Sequence, residues 1–166
     1  GNNVWGNGGR LPGPTKAATE GETMEYFELL VIGAGPAGLT ATDYGQRTGL
    51  HCLVLEKEAP GGQAKLTDMI ENWPGTLSIN GFELGQNFLQ HAGHLGAEIR
   101  SSEVSHIRLE HDLRFVTTGD GQEIEAGAVI ITLDSSHSHL GDPGAVEFTG
   151  RGVSVCADME GVSYRG

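Results

Sequence analysis

Apolar and polar positions along the chain mark out a series of short strands and two helices. Glu28-Leu29-Leu30-Val31-Ile32 is a compact apolar run of strand type. From Pro36 to about Thr48 the spacing is helical, with Gly49 placed to close the helix. Ala37, Ala41 and Tyr44 share one helical face, which is expected to lie on a sheet. Asp43 falls at the edge of that face, where a solvated charge is expected. A second apolar run, His51 to Leu55, ends on Glu56. Glu83 to Leu95 has apolar residues at 84, 88, 89 and 95, a helical pattern ending at Gly96. Short strands follow at Ala97–Arg100, Glu103–Leu109, Leu113–Thr118 and Gln122–Glu125, the last two flanking the hairpin turn Gly119-Asp120-Gly121. Gly127 to Leu133 is the most apolar strand since the first. The order predicts an α/β domain: a βαβ unit, a helix, an inserted antiparallel meander, and a returning strand of a parallel sheet.

The link between the first strand and the first helix carries the chemistry. Gly33-Ala34-Gly35-Pro36-Ala37-Gly38 is an intact G-x-G-x-x-G. In that pattern the first glycine allows a tight turn, the second lets backbone approach a pyrophosphate, and the third lets helix and sheet pack closely. The helix start offers unpaired N–H groups and a positive dipole end, and Pro36 suits a first turn that needs no N–H. Glu56 lies 18 residues past Gly38, where a carboxylate can accept from both hydroxyls of an adenosine ribose. A bare glycine turn could serve packing alone. With a strand before it, a helix after it and the acid at this spacing, it predicts a dinucleotide site. Lys57 to Gln63 is a turn by composition, and its Gly61-Gly62 pair again lets backbone come near a ligand. Asn72-Trp73-Pro74-Gly75 is another compact turn.

Composition narrows the partners. Ten Lys and Arg stand against 22 Asp and Glu in 166 residues, a net charge of −12, so nucleic acid and anionic membrane are poor partners. No stretch approaches the roughly 18 apolar residues of a membrane span. Two cysteines, Cys52 and Cys156, argue against a disulfide scaffold and lead to an expected cytoplasmic location. Cys52, inside a strand, reads as a small buried hydrophobe. His91 with His94, and His137 with His139, lack cysteine or carboxylate companions at ligand spacing, so no metal site is expected. Residues 1–23, with six glycines and two prolines, read as a flexible tail or linker. The domain proper is expected over 24–149.

The motifs together resemble low-molecular-weight thioredoxin reductases, within the pyridine nucleotide-disulfide oxidoreductase superfamily. Val31 to Ala41 resembles that family's FAD fingerprint, Pro60-Gly61-Gly62-Gln63 its flavin-contacting turn, and Glu71-Asn72-Trp73-Pro74-Gly75 its E-N-(Tyr/Trp)-P-G. Gly96 to Ile99, the meander, Ala128 to Ile131 and Gly150 to Ser154 follow in the family's order. The resemblance implies a Rossmann-like FAD-binding domain with parallel sheet and inserted meander. It places adenosine at Glu56 and pyrophosphate on Gly33, Gly35, Pro36, Ala37 and Gly38. The flavin then lies near Gly61, Gly62, Gln63 and Asn72, with further cofactor contacts from Lys57, Val104, Thr132 and Asp134. Family electron flow runs from NADPH to FAD, to a C-x-x-C disulfide, and on to thioredoxin or a similar protein, usually in a homodimer.

Three features depart from the family. Its redox C-A-T-C-D-G aligns with Cys156-Ala157-Asp158-Met159-Glu160-Gly161, and Met159 cannot pair with Cys156. Cys156 is left as a candidate reactive thiol or a relic of the pair. Residues 150–166 align with the start of an NADPH-domain region, and no second fingerprint is present, so the domain is expected to be incomplete relative to the family. The family's A-T-G at a strand end aligns with Thr132-Leu133-Asp134, where the Asp134 carboxylate would repel phosphate or turn outward into a polar loop. The expected function is the FAD-binding portion of a thioredoxin-reductase-like oxidoreductase. The alternatives are a non-catalytic nucleotide-binding or subunit-interaction module, and a half-enzyme completed by another chain.

Overall fold

The computed structural model describes residues 24–133. The expectations for the tail at 1–23, for the region 150–166, for Asp134 and for Cys156 and Met159 lie outside the described residues. The elements are β1 (Glu25–Ile32), α1 (Pro36–Arg47), β2 (Cys52–Glu56), a 3₁₀ turn (Gln63–Leu66), α2 (Gly81–His94), β3 (Glu98–Ser101), β4 (Val104–Glu110), β5 (Leu113–Thr118) and β6 (Glu123–Ile131). They form one six-stranded sheet in the order β3-β2-β1-β6-β5-β4. Strands β3, β2, β1 and β6 run parallel, and β6, β5 and β4 form the antiparallel part.

The meander therefore shares a strand with the parallel sheet. The two strands expected on either side of Ala126 are one strand, paired with β1 from Glu25↔Ile124 to Ile32↔Ile131. Gly127 reads as a break because glycine weakens strands. Here it marks where β6, still paired with β1, loses its second neighbour among the described residues. Pairing with β5 ends at Arg114↔Ala126, and the Arg114 guanidinium then donates to Gly127 O at 2.8 Å.

The sheet buries both faces. Leu30, Ile32, Leu53 and Leu55 pack with Val116 and Ile124 of the meander. Leu29, Val31, Cys52 and Val54 pack with Leu39 of α1 and Ala92 of α2. Burial on both sides explains why β1 and β2 read as continuous apolar runs rather than alternating ones. Each such side chain contributes about 1.5–3 kcal/mol on burial.

The contact face of α1 differs from the expectation. Ala37 and Tyr44 are exposed, and the buried positions are Gly38, Leu39, Thr42 and Gly45. The helix lies too close to the sheet for a methyl group: a Cβ on Gly45 would come within 2.8 Å of Cys52 Sγ and Leu29 Cδ2. Asp43 is not solvated either. Its side chain is 14% exposed between α1 and α2, 3.1 Å from Arg47 Nε and 3.5 Å from His91 Nε2. No helix among the described residues is long and apolar enough to cross a membrane.

Cys52 is fully buried, and desolvation, with a smaller contribution from Glu28, pushes its thiol up to about 11. The folded chain keeps this proton between pH 9 and 11, where the unfolded chain loses it. The unfolded state then binds fewer protons, so stability falls as pH rises through that window, by on the order of 2 kcal/mol. Alkylation followed by peptide mapping should find Cys52 unlabelled at neutral pH until the protein unfolds. Cys52→Ala should flatten the alkaline decline, and an unchanged decline would assign it to other groups.

Candidate functional site

The site is built where β1, β2 and β6 end, the carboxyl edge at which open parallel sheets bind ligands. Gly33 turns the chain out of β1 with φ +106°, and its N–H donates to Leu55 O at 2.9 Å. A Cβ there would lie 2.6 Å from Thr132 O, and one on Gly38 would lie 1.9 Å from Gly33 O and 2.6 Å from Thr132 Oγ1. Both glycines are demanded by the fold itself.

Gly35 is different. Its backbone is extended (φ −79°, ψ 179°), open to any residue, and the nearest atom to an added Cβ is Gly62 Cα at 3.7 Å. The protein has room for a side chain at this position and carries none. Gly35 is also the N-cap of α1, with no side-chain cap, Pro36 in the first turn and no acidic residue there. The positive end of the helix is therefore not neutralised by a first-turn carboxylate.

Glu56 is anchored against this turn. Its Oε2 accepts from Ala34 N at 2.7 Å and its Oε1 from Glu58 N at 2.8 Å. Each carboxylate oxygen has a second acceptor position. The two N–H bonds thus fix the orientation and leave the pair able to take two hydroxyls. A cleft of about 410 Å³ opens beside it, lined by Gly33, Glu56, Lys57, Val104 and the apolar Ile107 and Ile131 among others. Lys57 Nζ donates to Glu103 Oε1 at 2.7 Å, an exposed ion pair that raises the lysine's pKa above its ordinary value.

The second glycine turn lies next to the first. Gly61 N donates to Ala34 O at 2.9 Å, and Gly61 and Gly62 have φ of +114° and +62°. Gln63 follows, exposed, at the start of the 3₁₀ turn. Asn72 is exposed on an arm pinned at its base by paired Ile70 and Ile79, with Trp73 edge-on to Phe88 of α2.

The structure thus brings Gly33, Glu56, Lys57 and Val104 to one cleft, and sets Gly35 to Gly38 beside Gly61 and Gly62. Neither Gln63 nor Asn72 lines that cleft. Thr132 turns inward: its hydroxyl lies 3.0 Å from Ile32 O and 3.1 Å from Gly33 O, so it braces the turn. Sequence reasoning missed Glu103, whose partner is 46 residues away. No local signal could have paired them.

A parallel sheet with a G-x-G-x-x-G turn, an acid at the end of β2 and a cleft at the strand ends defines a Rossmann-like nucleotide-binding domain. Residues 27–166 match the model of the family described as pyridine nucleotide-disulphide oxidoreductase, and the chain belongs to that family. It is 41% identical over 140 residues to a thioredoxin reductase of Treponema pallidum, covering 84% of this chain and 45% of the relative. It is 39% identical over 142 residues to a thioredoxin reductase of Bacillus subtilis, covering 86% and 45%. Among solved structures, a thioredoxin reductase from Lactococcus lactis superposes with a TM-score of 0.68 at 36% identity, over 84% of this chain and 46% of that one. The chain thus spans a little under half the length of these relatives.

Proposed function

We propose that this chain binds FAD and is the FAD-binding portion of a thioredoxin-reductase-like oxidoreductase. The observation that carries the reading is Gly35, a position where the fold would accept a side chain and the sequence withholds one. A bare backbone facing an uncapped helix start suits the close approach of a pyrophosphate. Glu56 would hold the adenosine ribose through its two remaining acceptor positions, and its charge disfavours a ribose bearing a 2′-phosphate. The cleft at Val104, Ile107 and Ile131 offers the adenine an apolar wall, and Gly61 and Gly62 offer backbone to the flavin half. Bound FAD supplies two-electron transfer, which in the named relatives serves a thioredoxin reductase reaction.

A completing segment or chain is favoured by one observation. Among the described residues, the edge of β6 away from β1 has no strand partner beyond Ala126. A further strand could add there, from elsewhere in a longer protein or from a complementing chain. A thioredoxin-like protein is the proposed electron acceptor of the whole enzyme.

Titration of the purified chain with ADP and FAD tests the nucleotide reading at Glu56. Glu56→Gln keeps the shape but removes the charge, and its amide NH2 must face a backbone N–H. Loss of a charge-assisted hydrogen bond of about 1.5–3 kcal/mol should weaken ADP and FAD by tenfold or more. Unchanged affinity for both would remove the ribose assignment.

A further inference from the structure

Three backbone segments stack at the mouth of the fingerprint turn. In front is the turn itself, with Gly61 N bonded to Ala34 O and Gly35 facing Gly62. Behind the Gly61-Gly62 segment is α2. A Cβ on Gly85 would lie 3.2 Å from Gly61 Cα, and one on Gly61 would lie 3.7 Å from Gly85 Cα. The start of α2 is tied to the same loop: Gly81 N donates to Thr67 O at 3.0 Å, and Asn80 Nδ2 to Asp68 O at 2.9 Å. The loop is held between two surfaces, and the bulk of residue 85 sets one of them.

The α2 glycines are not equivalent. At Gly81 a Cβ would lie 1.9 Å from Ala64 O, a backbone clash that no small adjustment relieves. At Gly85 the 3.2 Å contact is only slightly too close, so a methyl group there displaces the Gly61 backbone by a few tenths of an ångström. Gly93, in the same helix, has nothing within 4 Å. Glycine inside a helix is unfavourable relative to alanine. Contact with the loop gives Gly85 a reason to be glycine that Gly93 lacks.

We propose that Gly85 is a positioning residue that sets how far the Gly61-Gly62 segment reaches toward the ligand, and so tunes affinity for the flavin half of FAD. This rests on the FAD reading above. The lining of the cleft at Glu56 includes neither Gly61 nor Gly62, so the adenosine half is unaffected.

The test compares the parent chain with Gly85→Ala and Gly93→Ala by titration with FAD and with ADP, reading the visible absorbance of bound flavin. Gly85→Ala should stay cooperatively folded, bind FAD about tenfold more weakly, as the loss of one backbone hydrogen bond would, shift the flavin band, and bind ADP as the parent does. Gly93→Ala should match the parent in all three. Parent-like FAD affinity and spectrum in Gly85→Ala would overturn the positioning role while leaving the FAD reading standing. Equal losses for FAD and ADP, or failure of Gly85→Ala to fold, would overturn it as well, because the contact would then be a core contact. A parent chain that takes up no FAD would overturn both readings.

Discussion

Gly38→Ala is expected to destabilise the folded state severely. The added methyl would sit 1.9 Å from Gly33 O and 2.6 Å from Thr132 Oγ1. Relief would have to come from backbone, because Gly33 is fixed by its bond to Leu55 O and Thr132 N is bonded to Ile32 O at 2.8 Å. Moving α1 outward would open its contact at Leu39 and Thr42, both fully buried or nearly so. Replacing a helical glycine by alanine gains about 1 kcal/mol in propensity. The steric cost belongs with the exceptional substitutions above about 4 kcal/mol, a large share of the 5–15 kcal/mol of a typical domain. Circular dichroism and urea unfolding check this. A loss below about 1 kcal/mol would mean that α1 packs less tightly on the turn than described.

Three positions away, Gly35→Ser should do the reverse. The backbone at Gly35 suits any residue and the added Cβ meets only an ordinary contact. Serine also gives α1 the side-chain cap it lacks, which changes stability by a few tenths of a kcal/mol in the favourable direction. The same side chain fills the space the ligand backbone needs. Lost charge-assisted hydrogen bonds from backbone N–H to pyrophosphate, about 1.5–3 kcal/mol each, should weaken FAD by roughly a hundredfold. The two fingerprint glycines therefore separate: one substitution costs the fold, the other costs the ligand.

Much of this was legible in the chain. The apolar runs of β1 and β2, the turn between β1 and α1 and the acid ending β2 all rest on local pattern, and pattern survives without coordinates. The face of α1 was not legible. Small residues at 37 and 41 read as the contact, but the buried face is Gly38, Leu39, Thr42 and Gly45, and the approach is so close at 38 and 45 that glycine is needed there; approach distance is a tertiary quantity. The unity of β6 is hidden in the sequence because a glycine looks the same where a strand ends and where it only loses one of its two neighbours. Asp43 reads as solvated because its cover, His91, comes from another helix. The bracing of the Gly33 turn by the Thr132 hydroxyl was not legible either, because that bond forms across about 100 residues of sequence.

One titration of FAD into the parent chain and into Gly35→Ser, with the unfolding midpoint of each measured on the same samples, tests the nucleotide site most directly. The parent is expected to bind FAD, the serine variant to bind it about a hundredfold more weakly, and the variant to be at least as stable as the parent. Equal FAD affinity in two folded chains would contradict a pyrophosphate lying against Gly35.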